Sequence, residues 1–396
     1  MWYEFLKLFR QIHVKAAFFV VVILSAVLGM VSANSFRSRV SVDHSDHLTG
    51  KKAFANERRK YEAVSGEVTV EKLNEALQYI QSFSEEWSAL AKGEEEYPGM
   101  IHMLENAYAA SDGHFTLFEI TDANDFYQKI QDQIQLRIED KGYQFSERDK
   151  KNILAWAKKI RQPYVNELAA PWSRFYTAFQ FVLLLNFFTV IIYASNLYSN
   201  EKIQRMDLII GTMEPRTIHK IVADKAKSLA FLTGGQYLVS MAAVCAVFFG
   251  TSGPIAWKSQ IQIWFFTSIL PFSYQSVFFL TFFSGLFACL AAAYFTAALN
   301  ARIEKSMPAL VTGIAVTFVP LLLRNFSMLP TGIMKFIQVL PVNTAMIENI
   351  ITSLYLYPFP GNGMPSIYAV PVVSVILAAV FAWCSVRMAG KYMCMD

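Results

Sequence analysis

Charge is scarce along most of this chain. Only 17% of its 396 residues are Asp, Glu, Lys or Arg, against about a quarter in a soluble domain, and 54% are hydrophobic. The shortage is also uneven. Residues 35–173 carry 18 basic and 23 acidic side chains, a net of −5, whereas the remainder carries 17 and 8, a net of +9. An acidic, polar insert thus lies within a basic, strongly apolar frame, which excludes an ordinary soluble globule and a disordered or collagen-like chain. Cysteine is sparse as well: Cys245, Cys289, Cys384 and Cys394 all fall outside the insert. That excludes a disulfide-stapled scaffold and suits a bacterial surface better than an animal one.

Catalytic signatures are missing too. No G-x-x-x-x-G-K-[ST] occurs, so the chain has no phosphate-cradling loop of its own. H-E-x-x-H and G-x-S-x-G are absent, and all six histidines lie outside the long apolar runs, which disfavours an intramembrane hydrolase. Between their flanking charges those runs contain no Asp, Glu, Lys, Arg or His. Ion-coupled carriers usually place one near mid-membrane, so any uphill transport here would draw its energy elsewhere.

What is present is a series of apolar runs between charges, each long enough to cross a bilayer. They place six spans near 16–34, 176–197, 229–250, 273–299, 307–323 and 369–387. The expected fold is an all-α polytopic membrane protein with a helical extracellular domain between the first two spans. In blocks, 1–15 is an inner amphipathic helix, 16–34 the first span, 35–173 the outer domain and 174–198 the second span. An inner loop follows at 199–228, then the third to fifth spans within 229–323. An outer loop with two re-entrant helices occupies 324–368, and the last span with its tail 369–396. Thirteen Lys and Arg, from Lys7 to Lys391, flank the spans on one side, against Lys258, Arg324 and Lys335 on the other. The positive-inside bias puts both termini in the cytoplasm of a multi-pass bacterial cell-membrane protein.

Within the insert, periodicity predicts helices over 70–91, from Asp122 to Gly142, and from Ser146 to Pro163. The first would bury Leu73, Leu77, Ile80, Trp87 and Leu90, the second Phe126, Tyr127, Ile130, Ile134 and Ile138, and the third Ile153, Trp156 and Ile160. At the N-terminus, Trp2, Phe5, Leu6, Phe9 and Ile12 share one helical face, as in a helix lying on the inner surface. The outer loop predicts short helices over 330–340 and 344–354, kept apart by Pro341.

The segment between the second and third spans concentrates basic and apolar residues. Two short amphipathic helices, 201–212 and 215–227, would show Met206, Leu208, Ile209 and Ile210 beside Lys202, Arg205, Glu214 and Arg216. Such a knob can seat in a groove on a soluble partner; the plainer alternative is an orienting, solvated loop. Its Glu201, Gly211, Thr212, Pro215, Arg216 and Lys225 resemble the corresponding loop of type-two ABC exporter permeases, although Arg216 follows Pro215 directly and Asp224 replaces the usual Gly. The six-span layout with a large first outer loop is similar to the sodium-efflux and bacteriocin-peptide branch of that family.

The resemblance implies a transport subunit rather than an enzyme. Two copies of a separate ATP-binding subunit would serve it, with ATP and Mg held there and no cofactor on this chain. Its other partners would be a second copy or similar permease and the lipid bilayer, with no nucleic acid. Coupling would fall to Glu201, Arg205, Gly211, Thr212, Glu214, Pro215, Arg216 and Lys225, and the cargo would be hydrophobic or amphipathic. Gln180, Asn186, Gln236 and Gln275, polar within or near spans, either line a substrate route or bond helices together. Asp43, His44, Asp46 and His47 have metal-ligand character, with a solvated juxtamembrane loop the simpler reading. The rival functions are a membrane sensor or adaptor and, less well supported, a membrane enzyme.

Overall fold

The computed structural model describes the chain except for residues 42–45, 110–116, 140–144, 204–205, 207–211, 325–328 and 394–396. Among the described residues six helices are long and apolar enough to cross a membrane: Ile12–Asn34, Pro171–Ser195, Pro215–Ser252, Tyr274–Ile303, Ser306–Leu323 and Ser366–Lys391. The protein is an all-α polytopic membrane protein. Its only strands among the described residues are three short antiparallel pairs.

The second and fourth spans form the centre of the bundle, with more than half of their apolar stretch enclosed by protein, whereas the fifth is almost bare, at 11%. Small residues permit the close crossings. At Gly29 an added Cβ would stand 3.0 Å from the Val244 carbonyl, so any larger residue there would push the first span a few tenths of an ångström from the third. The third helix is the longest. At 38 residues it rises about 57 Å, well beyond the ~30 Å hydrocarbon core, and must project past one membrane face. It joins what periodicity read as a separate amphipathic helix, 215–227, to the third span. Nothing between Lys227 and Leu229 breaks helical geometry, so the two fuse. Gly253, at φ 69°, ends it.

The inter-span domain is helical as expected, with corrections. The run 70–91 is two helices, Val70–Gln81 and Glu86–Glu96, because the chain turns through Ser82–Glu85. The turn throws Trp87 to the surface, 85% exposed, rather than onto the buried stripe. Leu73, Leu77 and Ile80 are buried as expected. Phe126–Glu139 buries Phe126, Ile130, Ile134 and Ile138, and Glu147–Ala157 starts at Ser146, whose hydroxyl accepts from the Asp149 N–H. Gly142 lies outside the described residues. Two further helices, Gly50–Val64 and Met100–Tyr108, complete the core.

Many contacts bind this domain to the spans. Gly66–Glu67 pairs with Val165–Asn166 and closes its chain ends together. The Ser32 hydroxyl donates to the Arg174 carbonyl at 2.6 Å, fastening the first span to the second where both meet the domain. Arg58 Nη2 donates to the Ser252 carbonyl at 2.6 Å, capping the end of the third span, and Phe54 stacks on Phe36 and meets Phe248 edge-on. Trp172 donates to the Ala256 carbonyl and stacks on Tyr274. The loop before the sixth span joins in through Trp156 Nε1 to the Gly363 carbonyl and Lys335 to Asp149. Its helices are Thr331–Val339, a 3-10 turn Pro341–Ala345 and Ile347–Ile351, a shorter and more broken pair than expected.

Candidate functional site

The loop between the second and third spans starts with a short helix, Ser199–Ile203, held by the fourth span. Asn300 Oδ1 accepts the N–H groups of Tyr198 and Ser199 at 2.8 and 3.1 Å, and its Nδ2 donates to the Ser199 hydroxyl. This fixes where Glu201 points, which is inward. Its Oε1 lies 2.6 Å from Lys225 Nζ and 3.0 Å from Lys7 Nζ. Glu201 and Lys225 are both buried, while Lys7 is partly open. One carboxylate thus joins three elements: the loop, the third span and the N-terminal helix Trp2–Phe9. Its Oε2 has no hydrogen-bond partner among the described residues, and the carboxylate borders a 20 Å³ cavity shared with Asn196, Asn200 and Ser228.

The N-terminal helix is laid against the third helix rather than free on a surface. Phe5 meets Phe231 edge-on at 5.0 Å, and Ser228 donates to the Met1 carbonyl at 3.1 Å. Leu8 is its buried residue, with Phe5 and Phe9 half-buried, while Trp2 and Ile12 are exposed. The expected face is therefore rotated. Ile12 falls off it because the chain breaks at Arg10–Gln11 and a new helix starts at Ile12. Asp224, where the resembled family has Gly, has a role in this fold: its carboxylate meets the Met1 ammonium at 2.8 Å.

The predicted coupling residues divide into two groups. Glu201 and Lys225 face the interior, a correction to any direct meeting of Glu201 with a soluble partner, because desolvating it with two lysines leaves no face to offer. Thr212, Glu214, Pro215 and Arg216 form with Met213 and Thr217 a continuous exposed tip. Pro215 occupies the first helical turn, where its missing N–H costs nothing. Arg205 and Gly211, with Leu208, Ile209 and Ile210, lie outside the described residues; Met206 is exposed. Sequence reading missed Lys7 and Asn300. A lone Asn ending the apolar run of the fourth span was the available signal for the second; nothing local marked Lys7.

The four polar span residues also divide. Asn186 and Gln236 are fully buried and meet: Gln236 Nε2 donates to Asn186 Oδ1 at 3.2 Å and to Thr189 Oγ1 at 2.5 Å. Asn186 Nδ2 donates to Ser240 Oγ at 2.8 Å, and the Tyr193 hydroxyl donates to Gln236 Oε1. Each amide donor and acceptor here is engaged, so this network bonds the second span to the third and presents nothing to a passing cargo. Gln275 is exposed and Gln180 only half-buried, and neither joins it. Between the fourth and sixth spans runs a separate groove of about 410 Å³, lined by apolar side chains such as Phe279, Phe283, Val372 and Ile376.

Asp43 and His44 lie outside the described residues, while Asp46 and His47 are exposed; no group of metal-ligating side chains occurs among the described residues. Neither protein-family models nor curated protein sequences give a match to this chain.

Proposed function

We propose that this protein is the membrane-spanning subunit of an ATP-driven exporter, moving a hydrophobic or amphipathic cargo with energy from a separate ATPase. The observation that carries the reading is the exposed tip Thr212–Thr217 at the head of a 38-residue helix locked at its base by the Glu201–Lys225–Lys7 cluster. Because Pro215–Ser252 is one continuous helix, a push on that tip passes along it into the third span, which is bonded to the second through Asn186 and Gln236. The six-span layout and the resemblance of the loop to type-two ABC permeases support the same reading. So does the apolar groove, a surface suited to apolar cargo. In this reading both termini and the tip are cytoplasmic and the 35–173 domain is outside. ATP and Mg sit on two ATPase copies, and the permease pairs with itself or a similar chain.

Charge reversal at the tip tests it. Arg216→Glu is expected to weaken ATPase association or uncouple hydrolysis from export, because stranding one bonded charge at an interface costs roughly 2–5 kcal/mol. Arg205→Glu, Lys220→Glu and Lys391→Glu serve as comparisons in the same transport assay. Equal effects from all four would reduce the loop to a positive-inside anchor. Copurification of a kinase, or of no ATPase, would favour the sensor instead.

A further inference from the structure

Just beyond the first span the chain forms a hairpin, Arg37–Arg39 paired with His47–Thr49. Alternation along a strand puts Arg37 and Arg39 on one face, with Ser38 buried behind them. That exposed pair lines a cavity of about 660 Å³, within the ~300–1,000 Å³ common for small-molecule sites. Arg174, Lys60, Glu94 and Trp264 line it too. Arg174 stands one turn into the second span, beside the end of the first. The cavity therefore sits where two spans meet the domain, which is the depth of lipid headgroups.

Glu57 and Glu95 line it as well, and its basic residues differ in what they meet. Lys60 is occupied, donating to the Arg39 carbonyl at 3.1 Å and lying 3.3 Å from Glu57. The guanidinium groups of Arg37, Arg39 and Arg174 make no hydrogen bond or ion pair among the described residues, which gives one wall a positive potential with unused planar donors. Glu94 belongs to another wall. Burial pushes its carboxyl up to about 7, opposed by the bond it accepts from the Gly99 N–H. Glu94 comes from the helix Glu86–Glu96, whereas Arg37 and Arg39 come from the hairpin and Arg174 from the second span, so acid and bases reach the cavity from different elements. Guanidinium pairs bidentately with phosphate, and an amine beside Glu94 would restore its ionised form.

We propose that this cavity binds a head bearing both a phosphate and an amine, as in phosphatidylethanolamine, in the leaflet on the domain's side. The phosphate lies against Arg37, Arg39 and Arg174 and the amine towards Glu94. Soluble glycerophosphoethanolamine carries the same head, so both sources are probed. Full-length protein, delipidated in detergent, is titrated with dihexanoyl phosphatidylethanolamine, dihexanoyl phosphatidylglycerol and glycerophosphoethanolamine. Arg37→Gln/Arg39→Gln/Arg174→Gln should weaken the first roughly tenfold or more, as loss of charge-assisted bonds requires. Glu94→Gln should abolish the preference for ethanolamine over glycerol while sparing phosphatidylglycerol. Lys51→Gln/Lys52→Gln/Arg59→Gln removes three charges from the exposed face of the neighbouring helix, outside the cavity, and should change neither. Equal binding of glycerophosphoethanolamine assigns the soluble source. No ethanolamine preference in the parent protein overturns the proposal, as does full binding by the arginine variant or an equal loss in the α-helical control. Should the arginine variant fail to fold, the loss of preference in Glu94→Gln decides alone.

Discussion

Two carboxylates illustrate how much a single residue's surroundings decide. Glu201 is buried between two lysines, and its removal strands Lys225, which is buried as deeply. Breaking such a pair commonly costs 3–5 kcal/mol, roughly, whereas replacing both members by apolar groups costs far less. Glu201→Gln should therefore destabilise strongly and free the Trp2–Phe9 helix, read as faster proteolysis of the N-terminus. Adding Lys225→Met should recover most of the loss, and Lys7→Met alone, at a partly open site, should do little. If the double variant is no better than the single one, the cluster is not a coupled unit. Glu94 works in the opposite sense. Its folded pKa is about 7, above the ordinary 4.5, so the folded state binds more protons than the unfolded state between those values. Stability should fall as pH rises from about 4.5 to 7, and Glu94→Gln should flatten that part of the thermal-midpoint profile. An unchanged slope would place Glu94 in water.

Between elements, the decisive features are where helices join and what bonds them. Fusion of 215–227 with the third span turns a loop into a lever, because a single helix runs from Pro215 to Ser252, through Gly234, Gly235 and Gly250, before Gly253 ends it. The Asn186–Gln236 network then ties that lever to the second span. Gln236→Leu removes the donor to Asn186 Oδ1 and the acceptor of the Tyr193 hydroxyl, leaving the latter only its long 3.4 Å contact to the Val14 carbonyl, and should cost about 1–3 kcal/mol of stability. Cargo preference should stay as it was, measured as relative export of several cargoes against the parent. A selective change for one cargo at normal stability would return these residues to a substrate route.

For the whole molecule, the domain and the spans form a continuous structure. Arg58 caps the third span, Trp172 holds Ala256, and Lys335 reaches Asp149. Movement in the bundle would therefore carry the domain with it. Sidedness is tested in a background with the four cysteines replaced by serine. Trp87→Cys and Phe359→Cys, both at well-exposed positions, should react with an impermeant thiol reagent on whole cells, and Thr217→Cys only after lysis. Labelling of Thr217→Cys from outside would invert the topology and remove the basis for an ATPase at the tip.

The sequence alone determined the membrane class, the number of spans and the existence of a helical insert. Each rests on local physics: charge is intolerable in hydrocarbon, about twenty apolar residues cross it, and periodicity of 3.6 marks a buried face. Ser146 as a cap and Pro215 as a first-turn residue were legible for the same reason, since their effects act within one turn. The tertiary structure alone decided which polar residues meet. Lys7 and Glu201 stand 194 positions apart, and Asn300 reaches Ser199 across 101. No local pattern encodes such distances, because a buried ion pair depends on how three helices pack. The inward turn of Glu201 follows from that packing, as does the gathering of Arg37, Arg39 and Arg174 around one cavity. Trp87 shows the converse: its spacing matched a buried stripe, but a turn four residues long rotated it into the open.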